Sequence, residues 1–180
     1  MKRLLTIALS VILTASLSAQ GNITSFLGIP VNGTKAEVTQ RLIEQGAVKV
    51  KDGLQISGID QMPFLVRIKT HKGKVYRISI VETKGTKDVK TAVARFNSLI
   101  DSYRENTCEY TEYEYNSFVV INDETSAKRH IHEGDYYAEF FQVADPQLYN
   151  RKVGFTITDE FGDYRIERIY DNIYNMPEGK

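Results

Sequence analysis

The chain has 180 residues, 23 of them basic and 23 acidic; 42% are hydrophobic and none is tryptophan. So even a balance leaves no long-range field to gather nucleic acid. The single cysteine, Cys108, excludes an internal disulfide, so packing has to supply the stability.

The N-terminus reads MKRLLTIALSVILTASLSA over residues 1–19. Lys2 and Arg3 precede an apolar run, and small residues follow it. That is the layout of a secretory signal peptide, too short to serve as a membrane span. Cleavage after Ser18 and cleavage after Ala19 both fit. No cysteine ends the segment, so a lipid anchor is not expected. Its removal leaves 21 basic and 23 acidic residues, a net charge of −2. Residues 20–180 are expected to form one domain, periplasmic or secreted, with no stable membrane span.

The next stretch, GIPVNGTKAEVTQRLIEQG, has the outline of an anion-binding loop before a helix. Thr34 and Glu37 have capping-box spacing, so each can satisfy an amide at the helix start. Val38, Leu42 and Ile43 follow at helical spacing, and Gly46 is placed to stop the helix. The loop lacks the lysine and the glycine pattern of a phosphate or dinucleotide site, so the segment reads as a capped helix.

After Gly46 the period changes to two. Val48 and Val50 alternate with lysines, GLQISG follows, and Phe64, Val66 and Ile68 share one face of PFLVRIKT. Beyond the turn at Lys72-Gly73, Tyr76, Ile78 and Ile80 share a face of VYRISIVE. An antiparallel meander is predicted. A second helix then runs to about Arg104, with Val89, Ala92, Val93, Phe96, Leu99, Ile100 and Tyr103 as one apolar stripe. Such a helix lies on a sheet.

Ten of the eleven tyrosines lie from Tyr103 onward. Tyr113, Tyr115, Val119 and Ile121 fall at even spacing, as on a strand, and Cys108 reads as a small half-buried side chain at the entry to it. YYAEFFQV and the hairpin around Gly162 add more strand. Tyr110, Tyr113, Tyr115, Tyr136 and Tyr137 are candidates for an interaction surface, since tyrosine combines rigid contact area with a polar tip. Packing on a half-exposed sheet is the favoured account of them. His130 and His132, spaced to share one face of a strand, are weak candidate metal ligands; without a third ligand, no metal or cofactor is predicted. No nucleophile elbow, zinc-protease motif or calcium loop is present, so no catalytic residue is assigned.

Tyr-Arg-Ile follows a turn glycine in both GKVYRISIVE and GDYRIERIYD. This suggests two halves, 24–84 and 85–176, each a helix plus antiparallel sheet. The segments SLSAQ, FLGIPVNGTKAEVTQRLIEQGA and DYRIERIYDN resemble small exported Bacteroidetes proteins of unknown function. More distantly, Thr34, Val38 and Leu42 resemble the helix that opens the β-lactamase-inhibitor-protein fold and the small lipoprotein of the outer-membrane barrel-assembly machine. That resemblance implies a helix-and-sheet module, single or in tandem, that binds protein through its sheet face, and no catalytic residues.

The expected fold is α+β, an antiparallel sheet with two main helices on one face. The expected function is non-enzymatic binding of another envelope or extracellular protein. A small-molecule or metal-binding periplasmic protein is the alternative, and an uncharacterised hydrolase the third reading.

Overall fold

A computed structural model describes residues 23–60, 62–106, 109–116, 124–142, 150–160 and 162–178, with backbone alone for 111–116. The signal-peptide segment, Cys108, Val119 and Ile121 lie outside the described residues.

A short hairpin, β1 (Ser25–Phe26) and β2 (Ile29–Pro30), leads into α1 (Lys35–Glu44). The helix starts where the sequence places it. Thr34 Oγ1 accepts the Glu37 N–H at 3.3 Å, and the Glu37 carboxylate accepts the Thr34 N–H at 2.8 Å. Val38 and Leu42 are its buried side.

Four strands follow: β3 (Val48–Val50), β4 (Gly53–Ile59), β5 (Met62–His71) and β6 (Lys74–Glu82). Lys72 and Gly73 both adopt positive φ, 47° and 78°, which is the turn geometry that matches strand twist in a two-residue hairpin. The second half begins with α2 (Val89–Glu105), capped by the Asp88 carboxylate on the N–H groups of Lys90 and Thr91. Then come β7 (Tyr110–Asn116), α3 (Glu124–Glu133), β8 (Tyr137–Gln142), β9 (Arg151–Glu160) and β10 (Asp163–Asn172).

Among the described residues, eight strands form one antiparallel sheet in the order β3-β4-β5-β6-β10-β9-β8-β7. Each half contributes four adjacent strands, and the halves meet where β6 pairs with β10. The Tyr-Arg-Ile segments lie on these two central strands. In both, the arginine points to one face of the sheet while the isoleucine, Ile78 or Ile166, is buried on the other.

That buried face carries Leu54, Ile56, Phe64, Val66, Ile78, Ile80, Ala138, Phe140, Val153, Phe155, Ile157 and Tyr170. They form one core with Val38 and Leu42 of α1, with Val89, Ala92, Val93, Phe96 and Ile100 of α2, and with Ala127 and Ile131 of α3. The α+β architecture with helices on one face is therefore as expected, but among the described residues three helices cover that face rather than two. The third is the His130–His132 segment, which is helical and not a strand. It buries only Ala127 and Ile131, a four-residue step that one helical turn explains.

Candidate functional site

Strand alternation gives the sheet a second, opposite face, on which no helix packs among the described residues. Several of its polar side chains are paired along and across strands. Arg77 on β6 donates from Nε and Nη2 to both oxygens of Asp171 on β10, at 2.6 and 2.7 Å. On β8 and β9, the Glu139 carboxylate accepts from Lys152 Nζ at 2.7 Å and from the Tyr137 hydroxyl at 2.6 Å. Arg67 on β5 forks onto Glu160 of β9 at 2.7 and 2.8 Å. These bonds raise Arg67 and Arg77 above the ordinary arginine range and hold Glu160 below the ordinary carboxylate range.

The Arg67–Glu160 pair also fixes the shape of this face. The register runs Arg67–Ser79–Ile169–Gly154 across four strands, and Gly154 is six residues before Glu160. In a flat sheet that offset is roughly 20 Å along the strands and 14 Å across them. Two extended side chains cannot span it. The sheet is therefore coiled toward its helix-free side, and the tip of the β9–β10 hairpin bends over it. Ser79 and Val81, at the middle of this face, are 1% and 0% exposed.

The candidate tyrosines divide between the two faces. Tyr137 belongs to the helix-free face. Tyr110 packs on Tyr103 of α2 at 4.5 Å between ring centroids, on the helix side, and burial pushes its hydroxyl up to about 12. Tyr136 is 2% exposed, edge-on to Phe96, and so is a core residue rather than a contact surface. The side chains of Tyr113 and Tyr115 lie outside the described residues.

The histidines do not form a pair. At positions i and i+2 of a helix they point to different sides, and His132 is exposed. His130 instead meets two carboxylates at the end of α3. Its Nδ1 lies 2.7 Å from Asp135 and 3.8 Å from Glu133, with the three groups within 4.8 Å of one another. A cation fits the donor types, but the cluster is an open surface turn. The backbone reversal at Gly134, where Asp135 N–H bonds the His130 carbonyl, already brings these groups together.

No protein-family model matches the chain, and neither does any curated protein or solved structure. Geometry therefore carries the assignment, and two further positions enter it that sequence reasoning missed. One is the charged row Arg67, Arg77, Glu160 and Asp171, whose signal is a charge at alternate strand positions. The other is Arg168, which stands in phase with the core residues Ile166 and Tyr170. A charge in register with an apolar stripe is the sequence signal that marks it.

Proposed function

We propose that this chain is an exported, non-enzymatic binding module that engages another protein of the bacterial envelope or exterior through the helix-free face of its sheet. The observation that carries this reading is the coiled, helix-free face across eight strands, lined by arginines and carboxylates already fixed in bidentate pairs. Preorganised side chains of this kind lose little freedom on association, so more of the contact energy appears as affinity. The leader-like N-terminus supports export, and the resemblance to the inhibitor-protein fold points to the same face.

The test is co-purification from the native envelope fraction, with mass spectrometry to name the bound protein and calorimetry on the purified pair. Lys69→Glu on β5 and Thr156→Arg on β9 alter the helix-free face, while Lys90→Ala alters the exposed side of α2. The first two should weaken the purified complex at least tenfold and the third should leave it unchanged. A complex indifferent to both face variants refutes the reading.

A further inference from the structure

Arg168 is out of place in the core. It is 6% exposed on the helix-facing side of β10, directly across from Ile80 on β6 and Phe155 on β9. Aligning Tyr76-Arg77-Ile78 with Tyr164-Arg165-Ile166 makes Ile80 its counterpart in the first half, so an aliphatic side chain satisfies packing at this position. Burying a guanidinium instead carries a large desolvation cost unless its donors are matched.

They are matched only in part. The guanidinium lies over the Phe64 ring at 5.2 Å, and Nη2 bonds one oxygen of Asp60. Its buried Nε has no hydrogen-bond partner among the described residues. Arg77, on the same sheet, shows the complete arrangement: Nε and Nη2 together hold both oxygens of one carboxylate. Arg168 presents the same edge with one of its two bonds made.

Arg168 belongs to the wall of a cleft of about 380 Å³ between α2 and the start of β5, lined also by Met62, Phe64, Ser98, Leu99 and Tyr103. The volume is in the range of small-molecule sites, and the lining is mixed, with Met62, Phe64, Leu99 and Tyr103 beside the charged Asp60, Glu82 and Arg95. The second arginine there, Arg95, is committed to Glu82, whose other oxygen accepts the Ile166 N–H at 3.1 Å. Among the described residues of the cleft, Arg168 is the cation left for a ligand. Asp60 reaches it from outside: its side chain is 57% exposed, and it holds a positive φ of 46° without being glycine.

We propose that this cleft binds a small organic acid with one carboxylate and an apolar or aromatic body. The ligand carboxylate replaces Asp60 and takes both Nε and Nη2 of Arg168, while the body lies among Met62, Phe64, Leu99 and Tyr103. Asp60 stands in for that carboxylate and competes with it. The site is on the helix side of the sheet, so it stands or falls separately from protein binding on the opposite face.

Benzoate, octanoate and inorganic phosphate serve as probes, titrated into the full mature chain by calorimetry. Benzoate or octanoate should bind saturably. Asp60→Ala removes the competitor and should tighten binding about tenfold, since the competent form no longer has to be freed first. Asp60→Asn, with a weaker neutral acceptor, should fall between the two. Ser98→Trp, from the exposed side of the cleft, should abolish binding at an unchanged melting temperature. No saturable binding to Asp60→Ala overturns the proposal, as does equal affinity with and without Asp60. Phosphate binding as tightly as benzoate overturns the apolar half of the recognition.

Discussion

Phe96→Ala tests how much of the fold rests on α2. The ring is 0% exposed, edge-on to Tyr136 at 6.1 Å, and flanked by Val93 and Ile100, themselves 4% and 0% exposed. Truncation removes the transfer energy of the ring, the edge contact and the filled volume together. Both ends of the helix are held, by the Asp88 cap and by Tyr103 packed on Tyr110, so it has little freedom to collapse into the space. The cost should be about 4 kcal/mol, in the middle of the range for buried aromatic truncations. With a urea slope of about 2 kcal/mol per molar, the midpoint should fall by about 2 M. That is a large share of the roughly 5–15 kcal/mol a domain of this kind has. Lys90→Ala, on the exposed side of the same helix, should stay within about 0.5 kcal/mol. A Phe96→Ala protein with an unchanged midpoint would refute the packing argument.

Thr34→Ala removes one half of the capping box and should cost roughly 1 kcal/mol in the same urea experiment, with ligand binding unchanged. Gly85→Ala would place a Cβ 2.7 Å from the Asp163 Cβ and 2.8 Å from the Tyr164 carbonyl, where Thr86 and Tyr164 exchange backbone bonds. Denaturant melts should show about 1–3 kcal/mol lost, and a neutral result would mean that the β9–β10 tip is free to move. Arg67 holds the Glu160 carboxyl below its ordinary value. Its contribution is therefore present above the ordinary carboxylate range and is lost as pH falls through the depressed native value. Glu160→Gln should flatten the acid limb of the stability–pH curve, and an unaltered limb would count against the pair.

What the sequence disclosed follows from the range of the interaction concerned. The Thr34–Glu37 cap, the Lys72-Gly73 turn and the stripe through Phe96 are local, and each appears as expected. The third helix was hidden because two apolar residues make no visible stripe, while two histidines with one residue between them imitate a strand. Val48 and Val50 alternate as a strand should, yet they are 55% and 37% exposed because β3 is an edge strand facing the helix-free side. The pairing of β6 with β10 joins residues about ninety positions apart, and no local pattern announces it. The same holds for Arg67 with Glu160 and for Arg168 with Asp60, since each partner is an ordinary charged residue until the sheet is assembled.

The joint between β6 and β10 has the geometry of an isologous contact, the kind two identical subunits make across a two-fold axis, but it lies inside one chain. Ile80 and Arg168 face each other at the position of that axis. Two identical copies would have to place the same residue there twice. Two isoleucines would give an inert seam, and two arginines would bring like charges together in the core. Joining the halves in one polypeptide lifts that constraint. A single guanidinium can then stand at the centre of the sheet with an aliphatic neighbour to pack against, an asymmetry that no pair of identical subunits can reach.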